Sequence, residues 1–254
     1  MKKIQIEHLT YRYESGGKSY TALEDVSLEI EAGEFVCLVG HSGCGKTTLL
    51  NLLAGLMKPG EGRILMDGKP VEGPGLDRNI IFQDYSLFPW LTAEKNVAFG
   101  IRQAYPDMKK GQILRRAREY LAQMELGQAA KKYPYQLSGG MRQRVAIARA
   151  FAMDGSVMLL DEPFGALDPR IRANLQQSLV SLWQREERKK TILFVTHDID
   201  EAVLLADRIL FMKPGRIDAD IPVTLKRPRR EQDLVGTAPY CGLRGQVVEL
   251  FYGA

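Results

Sequence analysis

The sequence predicts an α/β protein: a mainly parallel sheet, a small antiparallel β piece beside it, and an inserted helical segment. Three observations carry this. Phe35 to Val39, Val157 to Leu160, Ile192 to Val195 and Ile209 to Phe211 are short apolar runs rich in branched residues, as expected of strands covered on both faces. Helical stretches alternate with them, and that alternation places a parallel sheet between helices. From about Thr92 to Lys132 the strand signal disappears and helical spacing replaces it.

Taken in order, Ile4 and Ile6 alternate with polar residues, as do Val26, Leu28 and Ile30. Both stretches read as half-exposed antiparallel strands, with Ser15-Gly16-Gly17-Lys18-Ser19 as a loop between them. After the Phe35 run and a glycine-rich turn, Leu49, Leu52, Leu53 and Leu56 fall on one helix face. Gly62 to Met66, an Asp67-Gly68 turn and Lys69-Pro70-Val71 predict a hairpin. Asn79 to Phe82 is a further buried strand ending at Gln83. Ile113, Leu114, Ala117, Leu121 and Met124 carry helical spacing, with Gly127 as a stop. Another helix starts at Ser138-Gly139-Gly140 and runs through Val145, Ala148 and Ala152. The next begins at Pro169, a good first-turn residue, buries Ile171, Leu175, Leu179 and Leu182, and closes on Arg188-Lys189-Lys190 at the negative end of its dipole. Beyond about residue 222 the pattern weakens. The expected organisation is one domain over residues 3–222. Its core and antiparallel piece occupy 3–90 and 152–222, the helical insertion about 91–151, and a C-terminal extension 223–254.

Composition narrows the class. Of 254 residues, 45% are hydrophobic and 26% charged, ordinary for a globular protein. No apolar run of about 18 residues is present to span a bilayer, and the N-terminus turns polar too soon for a signal peptide. Cys37, Cys44 and Cys241 offer neither metal spacing nor an even disulfide framework, which fits a reducing cytoplasm. A net charge of +4 gives little reason to expect nucleic acid or anionic lipid. The run Arg227 to Arg230 reads as a solvated surface loop.

The chemistry concentrates at Gly40 to Thr48. Strand, glycine-rich turn and helix follow in order, with the G-x-x-x-x-G-K-T spacing of a phosphate-binding loop. Backbone N–H groups of His41, Ser42, Gly43, Cys44 and Gly45 are placed to close around phosphate oxygens, and the helix N-terminus adds positive charge. Lys46 is the residue to reach the β- and γ-phosphates, Thr47 to bind Mg²⁺, and Thr48 completes the loop. Downstream, the strand Val157 to Leu160 ends in Asp161-Glu162. Alone, an acidic pair there is a solvated strand end or a helix cap. With the phosphate loop upstream, Asp161 becomes a Mg²⁺ holder and Glu162 a carboxylate able to orient or deprotonate water. Ser138-Gly139-Gly140 opens its helix either as an ordinary N-cap or as a second anion cradle. A nucleotide needs only one cradle per chain, so a second hints at a site shared by two chains.

These residues together resemble the nucleotide-binding subunit of an ABC transporter. The phosphate loop is followed by Gln83, by the signature Leu137 to Gln143, by Asp161-Glu162, by Gly165-Ala166-Leu167-Asp168 and by Thr196-His197-Asp198. The resemblance runs from about residue 3 to 220 and implies a RecA-like P-loop NTPase core. It implies that Tyr13, rather than Tyr11, stacks on adenine, that Gln83 senses Mg²⁺ and the attacking water, and that His197 contacts the γ-phosphate. It further implies that Ser138, Gly139 and Gly140 contact the γ-phosphate held by a second copy of the chain, with ATP and Mg²⁺ as cofactors.

Asp84 to Leu91 resembles the segment that meets the membrane subunit. Exposed aromatics mark interfaces more often than solvent; the competing reading is core packing of the helical insertion. This stretch, with Thr196 to Ala202, most resembles importers of the nitrate, sulfonate and taurine group. The partners implied are a second copy, permease subunits met near Tyr85 to Trp90, and indirectly a solute-binding protein, at the cytoplasmic face of the membrane; no nucleic acid is expected. Two other classes stand beside this: a soluble ABC ATPase acting on nucleic acid or ribosomes, and a small-molecule kinase. The first usually carries paired cassettes or long coiled-coil insertions, and the second leaves the signature and His197 unexplained.

Overall fold

The computed structural model describes residues 1–165 and 167–253; Ala166, within the stretch Gly165 to Asp168, lies outside them. Along the chain run β1 (Lys2–Ser15), β2 (Lys18–Glu31), β3 (Phe35–Gly40), α1 (Lys46–Ala54), β4 (Glu61–Met66), β5 (Lys69–Pro70), β6 (Arg78–Ile81), α2 (Ala93–Ala104) and α3 (Lys110–Gln123). Then follow α4 (Gly139–Ala152), β7 (Val157–Asp161), α5 (Pro169–Arg185), β8 (Thr191–Thr196), α6 (Ile199–Leu205), β9 (Arg208–Lys213), β10 (Arg216–Pro222), α7 (Glu231–Leu234) and α8 (Ala238–Tyr252). They form two compact units, Met1–Pro74 with Thr191–Ala254, and Gly75–Lys190.

In the first unit, β1 and β2 pair antiparallel with Ile4 opposite Ile30 and Ile6 opposite Leu28. The period-2 pattern buries all four on one face. Antiparallel pairing of β1 with β4, and of β4 with β5, extends this sheet. The loop expected at Ser15 to Ser19 is shorter: Ser15 pairs with Lys18 across the turn Gly16-Gly17. Strand β3 lies between β8 and β9, parallel to both, with Leu38 opposite Val195 and Leu210. Every residue of β3 and β8 is buried, so their apolar runs lack alternation. β10 closes this part of the sheet antiparallel to β9.

The C-terminal stretch, where the sequence pattern fades, is not featureless. Helix α8 packs on α6 and buries Tyr240 and Val247. The Tyr240 hydroxyl donates to Asp200 Oδ1 at 2.6 Å, and Arg244 Nε donates to the same oxygen at 2.7 Å. Burial pushes the Asp200 carboxyl up, but the hydrogen bonds from Arg244 and Tyr240 outweigh it and leave the group below its ordinary value. The basic run is not a solvated loop either. Arg227 pairs with Asp207 at 2.8 Å, and Arg229 donates to the carbonyls of Ala206 and Leu225. Ala206 is the C-cap of α6, so Arg229 satisfies a helix end that lacks an intrahelical partner.

In the second unit, β6 and β7 pair in parallel, Ile81 opposite Leu160. Helices α2, α3 and α4 pack on one another. The helix from Pro169 ends at Arg185, short of Arg188-Lys189-Lys190. Lys190 is buried, and its ammonium donates to Met153 O at 2.9 Å and Gly155 O at 2.6 Å. It therefore serves the carbonyl end of α4, a different helix from the one the sequence pattern assigns it to.

Tyr120 on α3 yields a test of this unit. Burial, helped by the Glu186 carboxylate 3.2 Å away, pushes its phenol up to about 12. A folded-state value above the unfolded one means the contribution is complete below pH ~10 and is lost as pH rises through the folded value. Denaturation midpoints recorded across that range should fall with pH, and Tyr120→Phe should flatten the dependence.

No helix of the described residues is long and apolar enough to cross a membrane.

Candidate nucleotide site

The phosphate loop lies wholly in the first unit, between β3 and α1. Two of its glycines answer to packing. A Cβ on Gly40 would lie 2.3 Å from Met212 O, and one on Gly45 (φ 113°) 2.6 Å from Ala22 O. Neither distance is tolerable, so no other residue fits without moving backbone. Lys46 is 6% exposed, and its ammonium folds over the loop to donate to Gly40 O at 2.8 Å and His41 O at 2.9 Å. No side chain caps α1, and its first turn carries no acidic residue. The positive end of that helix thus faces the loop with no built-in anion, the arrangement that attracts phosphate.

Cys44 is buried with Sγ 3.9 Å from Lys46 Nζ. Burial outweighs the ammonium and pushes the thiol up, so it stays protonated and unreactive. Thr47 and Ser42 are exposed, and Thr48 is buried. The Tyr13 ring is 40% exposed, with its hydroxyl 3.2 Å from Thr48 Oγ1 and its ring edge-on to Tyr11. Tyr13 therefore sits beside the helix that follows the loop. His197 follows β8 and is exposed. The turn carrying it is tied by Asp198 N–H to Thr196 Oγ1 at 3.0 Å, and Asp198 in turn caps α6 through Glu201 N–H. His41, also exposed, donates from Nε2 to the Phe251 carbonyl at 3.0 Å.

The second unit carries the remaining candidates. Gln83 is exposed in the turn after β6. Tyr85 and Ser86 follow with φ of 66° and 43°, a left-handed pair that costs about 1–3 kcal/mol per residue unless its surroundings hold it. Arg149 donates to Ser86 O at 2.8 Å, and the Arg142 guanidinium lies over the Tyr85 ring. The Tyr85 hydroxyl sits 3.3 Å from where a Cβ on Gly139 would be. The segment after Gln83 is thus brought against the signature turn. Ser138 caps α4 by accepting from Met141 N–H at 3.3 Å, and a Cβ on Gly140 would fall 2.6 Å from Ile171 Cγ2. Asp161 is the last residue of β7. Glu162, next to it, is half-buried with φ 43°, and Gly165 N–H closes a turn on its carbonyl at 3.2 Å.

Trp90 is 70% exposed, and Phe88 packs on it and on Phe99 with ring centroids 5.6 and 4.8 Å away. Asn96, fully buried, holds this segment: Oδ1 accepts Phe88 N–H, and Nδ2 donates to the carbonyls of Phe88, Leu91 and Thr92. Sequence reasoning missed Asn96, Arg149 and Phe251. An asparagine inside an apolar helical pattern was the available signal for the first; the other two left none. Among the described residues no group of three or more His, Cys, Asp or Glu gathers as a metal site. Taken unit by unit, Thr47 carries a hydroxyl in the first, and Gln83 and Asp161 carry an amide carbonyl and a carboxylate in the second, each an oxygen donor of the kind a hard cation takes.

A family model described as ABC transporter matches residues 23–165. The bicarbonate transport ATP-binding protein CmpC of Synechococcus elongatus is 47% identical over 92% of this chain, which spans only 35% of that protein. The nitrate import ATP-binding protein NrtD of the same organism is 44% identical over 92% of this chain and 85% of its own length. A solved dimeric structure of the ATP-binding cassette MJ0796 bound to ADP and Pi superposes with a TM-score of 0.78 at 35% identity, covering 88% of this chain and 100% of the other. The chain has the P-loop NTPase fold of these cassettes, and it belongs to the ABC transporter ATP-binding family.

Proposed function

We propose that this chain is the ATP-hydrolysing, energy-coupling subunit of an ABC importer, working as a pair of copies that enclose two ATP molecules and drive a membrane permease. The observation that carries the reading is the phosphate loop, with Lys46 folded over it and an uncapped helix end behind it. In this reading Lys46 and the loop N–H groups bind the phosphates, and Tyr13 stacks on adenine. Thr47, Gln83 and Asp161 would hold Mg²⁺, which when bound would neutralise charge on the phosphates. Glu162 takes the proton of the attacking water, and His197 and Gln83 orient the reacting groups. Ser138, Gly139 and Gly140 act on the ATP held by the second copy. The catalytic domain is residues 3–222, with the helical insertion about 91–151.

The relatives' names point to small oxyanions, nitrate and bicarbonate, so a solute of the nitrate, sulfonate or taurine kind is the favoured cargo. The permease would be met at the exposed aromatic group around Phe88 and Trp90, on the cytoplasmic face of the membrane. A solute-binding protein would deliver the cargo from the other side.

The test joins both halves. The isolated wild-type chain should release phosphate from ATP, and chelation of Mg²⁺ should stop it. Phe88→Ala with Trp90→Ala should retain that turnover while losing permease capture and solute uptake. A chain that binds no ATP would overturn the reading; a double variant that fails to fold would mean the aromatic group is core packing.

A further inference from the structure

Helix α8 touches both the phosphate loop and helix α6 of the first unit. At its end, the Phe251 carbonyl accepts from His41 Nε2 at 3.0 Å. A carbonyl only accepts, so that nitrogen carries a proton. The Phe251 ring lies edge-on between the rings of His41 and Phe211, with centroids 5.1 and 5.0 Å away. Phe211 pairs with Val39, the residue that leads into the phosphate loop. Near its start, α8 is pinned to α6 by Tyr240 and Arg244 on Asp200, three residues beyond His197.

His41, Ser42 and Gly43 are otherwise exposed. Their own side chains make no other hydrogen bond among those described; the rest of the hold on this arm is internal to the loop and α1, from Lys46 Nζ and Cys44 N–H onto the His41 carbonyl. An exposed loop left unanchored must be ordered when its ligand binds, and that ordering is charged against affinity.

We propose that Phe251 is a positioning residue for the nucleotide, holding the phosphate loop through His41, and that the Asp200 cluster anchors the helix which carries it. The proposal rests on the ATPase reading above. It assigns the C-terminal helix a part in setting ATP affinity, through contacts that touch neither phosphate nor adenine.

The experiment measures ATP turnover and binding of a fluorescent ATP analogue by the full chain. Phe251→Ala should raise KM for ATP and Kd for the analogue by about 3–10-fold with kcat changed less than about two-fold, and Phe251→Tyr should return both close to wild type. Tyr240→Phe combined with Arg244→Ala should shift KM in the same direction by a smaller factor. Were Phe251 merely structural, the variants would lower thermal stability and the active fraction and leave KM in place; that result overturns the proposal. If Phe251→Ala does not fold, His41→Phe decides, because it keeps the ring contact and removes the hydrogen bond: a raised KM supports the latch and an unchanged one overturns it. Wild-type chain that neither binds nor hydrolyses ATP defeats the ATPase reading itself. Because Phe251→Ala removes the ring but keeps the carbonyl that His41 meets, active wild type with KM unmoved in both Phe251→Ala and His41→Phe defeats only the latch.

Discussion

Glu162→Gln should bind ATP normally, hydrolyse it slower by a factor on the order of 10²–10⁴, and elute as a dimer with Mg-ATP but as a monomer with ADP. The substitution keeps size and hydrogen-bonding reach, and it leaves Asp161 as the carboxylate for the metal. Its backbone demand is also met, since Gln tolerates the left-handed φ of 43° about as well as Glu does. Only the base is removed. If Ser138 to Gly140 of one copy close over the ATP of another, uncleaved nucleotide should hold the two chains together. Adding Ser138→Arg should then disperse the dimer, because it places bulk and a new charge at the turn that meets the γ-phosphate. Size-exclusion chromatography with light scattering reads both steps. Undiminished hydrolysis would remove Glu162 from the mechanism, and a chain that stays monomeric at saturating ATP would count against the shared site.

Lys46→Ala should abolish turnover and weaken ATP binding by about 10–100-fold, the equivalent of about 1.5–3 kcal/mol for hydrogen bonds to charged groups. The structure adds a control to this expectation. Lys46 also donates to Gly40 O and His41 O, so its loss leaves two loop carbonyls without that donor. Lys46→Arg keeps the charge with a bulkier, planar head that does not fit the same turn. It should retain the fold, recover some binding and remain poor in turnover. Calorimetric titration with ATP separates the two variants, and thermal melting shows whether either has lost the fold.

Much of this protein was legible from periodicity. Ile4, Ile6, Leu28 and Ile30 announce a half-buried hairpin because one sheet face meets the core and the other does not. The buried runs of β3, β8 and β9 are readable for the opposite reason, since both faces are covered. The phosphate loop could be read because its chemistry demands a fixed spacing, the acidic pair because it ends a buried strand, and the signature only through the family resemblance. What escaped was decided by tertiary contact. The run Arg227 to Arg230 looks like surface by composition, yet Arg227 and Arg229 are occupied by Asp207 and by the carbonyl end of α6. Lys190 follows a helix in sequence but serves another in space. Helix α8 contains Pro239, Gly242 and Gly245 and buries only Tyr240 and Val247, too few positions to make a stripe.

Asn96 has a mechanical consequence. One buried amide grips the backbone at Phe88, Leu91 and Thr92, and Asn96 itself belongs to α2. The exposed tip bearing Trp90 is therefore a stiff bracket bolted to a helix and not a compliant loop. A displacement applied at the indole should reach α2 through these bonds. Exchanging Asn96 for a residue that cannot grip would leave the aromatic tip in place but turn a rigid strut into a slack tether.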